Sequence, residues 1–212
     1  MMADGASDLQ RLKRAVRAQA GAGRQRQENK DQLSRQICQK LATLPEYAAA
    51  HSVMLYVDFG PEVRTRHFLE LAGQDGKRLV VPYCVGDDLG LFRLESIDDL
   101  TPGTWGILEP KAELRGLADR MVDPGELDLI VVPGVAFDRR GGRAGHGKGY
   151  YDRLLRRVRA GSALVALAFE SQLVDEVPMQ SHDVFMDKIV TETAVYTRDK
   201  AKSAPRLPSG SC

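Results

Sequence analysis

The sequence lacks the features that define several large classes of protein. Its 212 residues include only three cysteines, Cys38, Cys84 and Cys212, with no C-x-x-C spacing. That count argues against a disulfide framework or a zinc site, and we predict three free thiols. No apolar run approaches the roughly 18 residues that cross a bilayer, and the N-terminus has no apolar stretch typical of a secretory signal. We therefore expect a soluble, cytoplasmic protein with no membrane partner.

A net excess of charge is also absent, because 30 Lys and Arg residues face 29 Asp and Glu residues and leave a formal net charge of +1. The charge is nevertheless segregated. Residues 1–40 carry nine basic and four acidic side chains, residues 134–160 carry eight and two, and residues 198–212 add +3, so the remainder totals −13. Basic helix faces in solvent account for many such runs, but near-neutrality with two basic segments also fits a local anion site.

The length fits one domain, which we place at residues 1–198, followed by a polar, Pro- and Ser-rich tail at 199–212 that we expect to be disordered. Apolar residues at helical spacing predict a first helix over about 8–20, broken by Gly21 and Gly23, and a second helix that stops before Pro45. The chain therefore opens with a helical pair that has a basic outer face.

Short apolar runs alternate with helical or turn segments over the rest of the chain. They lie at 52–57, 78–83, 89–94, 128–133, 163–169 and 189–196 and predict strands. The segments 64–73 and 150–160 are predicted helices. The run from Leu129 to Val132 is apolar at every position, as in a strand that is covered on both faces. This alternation predicts an α/β fold: a three-layer α/β/α sandwich with a largely parallel sheet.

A glycine-rich loop over 133–152 is the most informative stretch. It follows the strongest predicted strand and precedes a predicted helix, the position where open α/β sheets gather ligands. Alternating glycines let backbone amides approach an anion closely, and an ammonium group in the same turn adds a full positive charge, which suits phosphate. The residues of this loop that carry the prediction are Arg143, Gly145, His146, Gly147, Lys148 and Gly149.

Two alternatives to a dedicated phosphate site stay open for this loop. A glycine cluster after a strand is often only a long turn. Gly142, Gly147 and Lys148 also match the P-loop pattern G-x-x-x-x-G-K. Gly149, however, replaces the Ser or Thr that would hold magnesium, and residues 133–141 separate the pattern from its strand. Phosphate binding outside a P-loop fold is the better interpretation.

The run PGVAFDRRGGRAGHGKGYYDRLL resembles the signature of 5-formyltetrahydrofolate cyclo-ligases, also called methenyltetrahydrofolate synthetases. Five ordered motifs extend the resemblance over about residues 12–193: LKRAVR, YVDFGPEVRT, GTWGILEP, DLIVVPGVAFD and HDVFMDKIVTE. The resemblance implies an α/β/α fold and an ATP- and magnesium-dependent closure of 5-formyltetrahydrofolate to 5,10-methenyltetrahydrofolate, with release of ADP and phosphate. Ala144 departs from the family pattern, which usually has leucine there.

The resemblance also implies roles for individual residues. Lys148 is the expected catalytic residue, because it would hold the transferred phosphoryl group. Asp152 and Asp183 match the metal carboxylates, with Asp187 either a neighbour of the metal or a surface charge. The expected ATP-binding residues are Lys13, Arg17, Arg143, Gly145, His146, Gly147, Lys148, Gly149, Tyr150, Tyr151 and Asp152. The expected folate-binding residues are Val57, Glu62, Trp105, Gly147, Lys148, Gly149, Tyr150 and Tyr151.

Two other functions stay open beside the cyclo-ligase. The glycine loop alone would also serve an ATP-dependent phosphotransferase with a different acceptor, and the same fold could be a non-catalytic nucleotide- or folate-binding module. For the cyclo-ligase we expect the two small-molecule substrates as partners, a monomeric protein and no nucleic-acid partner, with Mg²⁺ as the metal cofactor and ATP as co-substrate.

Overall fold

A computed structural model describes residues 3–103, 106–181 and 183–199. Trp105 and residues 200–212, which include Cys212 and most of the predicted tail, lie outside the described residues. The helices in chain order are α1 (Ala3–Arg26), α2 (Lys30–Ala42), α3 (Pro45–Ala49), α4 (Arg66–Gln74) and α5 (Tyr150–Leu155). The strands are β1 (Ser52–Met54), β2 (Arg78–Val85), β3 (Asp88–Leu94), β4 (Leu100–Pro102), β5 (Leu108–Pro110), β6 (Leu129–Val132), β7 (Ala136–Phe137), β8 (Arg143–Ala144), β9 (Ala163–Leu167), β10 (Lys188–Val190) and β11 (Val195–Thr197).

A seven-stranded sheet in the order β11-β10-β9-β6-β1-β2-β3 forms the centre of the fold. Strands β10, β9, β6, β1 and β2 run parallel, and only the two edge strands are antiparallel to their neighbours. The prediction of a largely parallel sheet is therefore confirmed. The strands β4 and β5 pair with each other, as do β7 and β8, in two small hairpins that the apolar pattern did not predict.

Successive residues of the central strands face two separate hydrophobic clusters, because side chains alternate across a sheet. Leu129 and Val131 of β6 pack in one cluster with residues of α2, α3 and α4, whereas Ile130 and Val132 pack in the other with residues of α5. All four residues of β6 are 0% exposed. Helices thus cover both faces of the sheet, which confirms the three-layer α/β/α fold.

The predicted strand over 189–196 is two strands, β10 and β11, joined by a tight turn. Thr191 fixes this turn, because its hydroxyl oxygen accepts a hydrogen bond from the backbone N–H of Ala194 at 3.0 Å. A Thr side chain that bonds to a turn is not visible in an apolar pattern. The helix predicted over 150–160 also ends early, at Leu155.

Gly21 and Gly23 do not break the first helix, which was a wrong prediction; α1 continues through both to Arg26. A Cβ atom on Gly23 would lie 2.5 Å from the backbone oxygen of Ser171, whereas one on Gly21 would meet only a methyl group of Val135 at 3.8 Å. Gly23 therefore allows the helix to pack closely against the turn at 170–172. Gly23 thus marks a place where another segment comes close to the helix, and it does not mark the end of the helix.

This difference predicts opposite effects of alanine at the two positions. Gly23→Ala should lower the free energy of unfolding by about 1–3 kcal/mol, because the new methyl group meets a backbone atom that cannot move without displacing the turn. Gly21→Ala should leave it unchanged or raise it by up to about 1 kcal/mol, since alanine favours the helix and has room. Urea unfolding of the two variants measures both. Equal stabilities would show that Ser171 does not constrain α1.

The two cysteines that the structure describes are free thiols, as predicted. Cys38 is buried, and burial raises the pKa of its thiol to about 12. Cys84 is exposed. Within the described ranges, no helix is both long enough and apolar enough to cross a membrane.

Candidate active site

Two of the segments that hold predicted site residues follow neighbouring parallel strands. The FGPE turn at 59–62 comes after β1, and the glycine-rich loop comes after β6, which pairs directly with β1. Both therefore leave the sheet at its carboxyl edge, where open α/β sheets bind ligands. Nε2 of His146 in the loop lies 3.9 Å from Oε1 of Glu62. The predicted nucleotide loop and the predicted folate carboxylate are thus brought together.

Asp138 organises the first half of the glycine-rich loop. Its carboxylate is 0% exposed and accepts hydrogen bonds from the backbone N–H groups of Arg140 and Gly142 at 2.9 Å and of Val177 at 2.8 Å. These bonds close the turn between β7 and β8 and tie it to a distant segment. Sequence reasoning missed this residue. An aspartate three residues before a Gly-Gly pair is a turn signal that could have indicated it.

Two glycines give the second half of the loop its path. Gly147 has φ +91° and Gly149 has φ +72°, a left-handed conformation that residues with a side chain rarely adopt. None of the residues in the described ranges accepts a hydrogen bond from the backbone N–H groups of Gly147 or Lys148. The Lys148 side chain, between the two glycines, is exposed. The loop presents amide donors and an ammonium group together, as phosphate binding requires.

Helix α1 brings its basic pair to this loop. Nε of Arg17 donates to the backbone oxygen of Gly145 at 2.7 Å. Lys13, one helical turn earlier, donates from Nζ to Oδ2 of Asp183 at 2.5 Å. Asp183 also accepts from the backbone N–H of Gln180 at 2.8 Å. The structure therefore places one predicted ATP-binding residue directly on a predicted metal carboxylate.

Arg143 and Asp152 form a second such pair. Nη2 of Arg143 lies 2.5 Å from Oδ1 of Asp152, and Nη1 donates to the oxygen of Pro133 at 3.3 Å. The Arg143 guanidinium also lies 5.8 Å from the centre of the Tyr151 ring. Its side chain is only 4% exposed. Arg143 is thus a buried link between the start of the loop and the start of α5.

Glu62 is held in place by its own turn. Its Oε2 accepts a hydrogen bond from the backbone N–H of Phe59 at 3.1 Å, and its side chain is 14% exposed. Val57, on the same segment, is buried at 7% exposure. Burial and the negative charge of Glu62 both raise the pKa values of Tyr56 and Tyr151. Both phenols therefore stay neutral beside the carboxylate at physiological pH.

Three neighbours of Glu62 were not identified from the sequence. Asp58 is buried and accepts hydrogen bonds from the backbone N–H groups of Thr65 at 2.9 Å and Arg66 at 3.1 Å, which fixes the far end of the FGPEVRT segment. Arg24 of α1 is 6% exposed and donates to the oxygen of Gly134 at 3.2 Å; burial lowers the pKa of its guanidinium, and Glu62 opposes that shift. Phe59 is 43% exposed. No local pattern reveals any of these contacts.

The two predicted tyrosines have different surroundings. Tyr151 lies beside Arg143, whose guanidinium is 5.8 Å from the ring centre. Tyr150 instead donates from its hydroxyl to the oxygen of Gly86 at 3.3 Å, in the turn between β2 and β3, and the guanidinium of Arg153 lies 5.3 Å from its ring centre. Trp105, the third predicted aromatic residue, lies outside the described residues.

The carboxylates suit a hard divalent cation that shares its coordination with a ligand. In the part of the chain that the structure describes, no three His, Cys, Asp or Glu residues cluster as a metal site. The predicted metal carboxylates are those of Asp152 and Asp183. Two are sufficient, because Mg²⁺ characteristically binds one or two carboxylates and completes its coordination shell with phosphate oxygens and water. Asp187 is bonded elsewhere, since its Oδ2 accepts from the backbone N–H of Leu164 at 2.9 Å, near the amino end of β9. It belongs to the opposite edge of the sheet.

Comparisons with known proteins give a consistent result. A family model described as the 5-formyltetrahydrofolate cyclo-ligase family matches residues 8–192. A probable 5-formyltetrahydrofolate cyclo-ligase of Schizosaccharomyces pombe is 36% identical over 179 residues, which cover 78% of this chain and 86% of that protein. The 5-formyltetrahydrofolate cyclo-ligase of Mus musculus is 30% identical, with 85% and 90% covered. The NMR structure of Aquifex aeolicus 5,10-methenyltetrahydrofolate synthetase matches with a TM-score of 0.77 at 32% identity, with 92% of this chain and 97% of that chain covered.

Proposed function

Because this chain belongs to the 5-formyltetrahydrofolate cyclo-ligase family of enzymes, we propose that it closes 5-formyltetrahydrofolate to 5,10-methenyltetrahydrofolate at the expense of ATP, with Mg²⁺ as cofactor. The observation that carries the proposal is the contact between the two halves of the site. His146 of the glycine-rich loop lies 3.9 Å from Glu62 of the FGPE turn. A nucleotide on the loop and a folate on Glu62 would therefore be neighbours.

The chemistry explains why the site needs cations and no nucleophilic side chain. A formamide carbon is a poor electrophile, and its oxygen leaves poorly as hydroxide. In the proposed reaction, the formyl oxygen attacks the γ-phosphorus of ATP and ADP departs. N10 of the folate then attacks the formyl carbon and loses its proton to solvent, and the C–O bond breaks with phosphate as the leaving group. The protein mainly aligns the two substrates and balances phosphate charge.

The nucleotide half of the site is assigned to the glycine-rich loop and to α1. The amides of Gly147 and Lys148 would bind phosphate oxygens, and the Lys148 ammonium would stabilise the phosphoryl group as it transfers. Arg17, which already bonds the loop at Gly145, would hold the loop against the phosphate chain. When bound, magnesium would neutralise phosphate charge, with Asp152 and Asp183 as its carboxylate ligands.

The folate half is assigned to Glu62, Val57 and Tyr151. A pterin presents adjacent N–H donors, and a carboxylate can accept two parallel hydrogen bonds from them. Glu62 is suited to this because the backbone N–H of Phe59 fixes its orientation. Buried Val57 and the Tyr151 ring would line the apolar side of the slot.

A spectrophotometric assay with the purified full chain tests the proposal. We expect 5-formyltetrahydrofolate and MgATP to give the absorbance of the methenyl product, with one ADP formed per product. Omission of ATP, or chelation of magnesium with EDTA, should each abolish the change. ATP consumption that is independent of the folate would instead support a phosphotransferase with another acceptor, and binding of both ligands without turnover would support a non-catalytic module.

A further inference from the structure

Two short ion pairs join residues proposed for ATP to residues proposed for magnesium. Lys13 bonds Asp183, and Arg143 bonds Asp152, each at 2.5 Å. The side chains of Lys13, Asp183 and Arg143 are 15%, 10% and 4% exposed, and that of Asp152 is 33% exposed. Since water screens the three more buried charges weakly, removal of the ion-pair partner of any of them is unfavourable.

The two pairs are connected through α1 and the glycine-rich loop. Lys13 and Arg17 are one turn apart on α1, and Arg17 bonds the oxygen of Gly145, two residues after Arg143. The glycine-rich loop thus connects the Arg143–Asp152 pair to the helix that carries the Lys13–Asp183 pair. The segment from Gly145 to Gly149, where the proposed nucleotide phosphates would bind, lies between Arg143 and Asp152 in the sequence and contacts α1 through Arg17.

We propose that Lys13 and Arg143 are counter-cations for Asp183 and Asp152 in the free enzyme, and that both pairs exchange partners when magnesium and nucleotide arrive together. This inference rests on the proposed function. Before binding, each carboxylate is neutralised by a side chain. After binding, the carboxylates face the metal, and the released ammonium and guanidinium groups face phosphate oxygens. Every charge keeps a partner through the exchange.

The exchange makes the two ligands depend on each other. Magnesium alone would have to displace Lys13 and Arg143 and leave both cations without an anion. Nucleotide alone would compete with Asp183 and Asp152 for the same cations. When both bind, neither cost arises, so each ligand strengthens the binding of the other by the same factor.

Binding of Mn²⁺ alone to the nucleotide-free full chain, followed by electron paramagnetic resonance, tests the proposal. Lys13→Met should bind Mn²⁺ about tenfold more tightly than the wild type, because Asp183 loses its resident cation. The same variant should bind metal-free ADP, with EDTA present, about tenfold more weakly. A loss of nucleotide affinity together with a gain of metal affinity is the expected signature. A merely structural Lys13 would not give it.

Arg14→Met is the matched control, since it removes one positive charge from the next position of α1, where the side chain is exposed. It should change neither affinity. If Lys13→Met does not fold, Lys13→Gln, which also removes the charge but keeps a polar side chain, applies the same test. An Mn²⁺ affinity no higher in the Lys13 variant than in the Arg14 variant overturns the exchange, as does unchanged ADP affinity. The wild-type protein is also tested in the absorbance assay. If it forms the methenyl product while the binding results overturn the exchange, the proposed function stands and only the exchange fails.

Discussion

Lys148→Ala is expected to lower kcat by about 10²–10³-fold, because the phosphoryl group in the transition state loses the positive charge that stabilises it. The structure offers no other role for this side chain. Lys148 is exposed, and none of the described residues accepts a hydrogen bond from its ammonium group. Its loss should therefore leave the thermal unfolding midpoint unchanged. Steady-state kinetics with the two substrates and a thermal melt measure the two quantities.

Arg156→Ala controls for the loss of charge. Arg156 is an exposed cation in the same basic segment, just after the end of α5, so its removal should leave kcat near that of the wild type. If Lys148→Ala retains wild-type turnover, Lys148 has no part in the reaction. A fall in kcat of equal size in both variants would indicate only a general effect of net charge.

Glu62→Gln is expected to raise KM for 5-formyltetrahydrofolate by about 10–100-fold, because a charge-assisted pair of hydrogen bonds to the pterin is lost. The glutamine oxygen can still accept from the backbone N–H of Phe59, so the FGPE turn should persist. The KM for ATP should stay within about twofold, since Glu62 belongs to the folate half. Initial-rate kinetics with each substrate varied in turn separate the two constants.

The KM for ATP is the internal control in that experiment. If neither KM changes in Glu62→Gln, the carboxylate does not bind the folate, and a phosphotransferase with a different acceptor becomes the better interpretation of the site. If both KM values rise together with a lower unfolding midpoint, the turn has collapsed. Glu62→Asp, which keeps the charge, should then restore part of the folate affinity only if the carboxylate contacts that substrate.

The fold was largely predictable because the sheet is covered on both faces. The run Leu129 to Val132 is apolar at every position, and this feature alone identified it as a strand that is covered on both faces. All four residues are 0% exposed in the structure. Gly21 and Gly23 misled the prediction of α1, because both fit within the helix and Gly23 allows its close contact with Ser171. That contact joins residues far apart in the chain, and no local pattern records it.

The candidate site was predictable in parts. The motifs located the glycine-rich loop and Glu62, and their positions after two neighbouring strands bring them together. The pairing of charges was not predictable. Lys13 and Asp183 are 170 residues apart, and spacing cannot show that these oppositely charged residues meet. The segregated charge of the sequence has a partial explanation here, because basic residues of both basic segments converge on the loop, where some meet carboxylates.

The fate of the formyl oxygen tests the proposed reaction most directly. The substrate would be 5-formyltetrahydrofolate labelled with ¹⁸O in the formyl group, with MgATP and the purified full chain, and the phosphate released would be analysed by mass spectrometry. If ATP phosphorylates the formyl oxygen, each phosphate formed with the methenyl product carries one ¹⁸O atom. Unlabelled phosphate alongside methenyl product would contradict that mechanism, because the oxygen would then have left without passing through a phosphate ester.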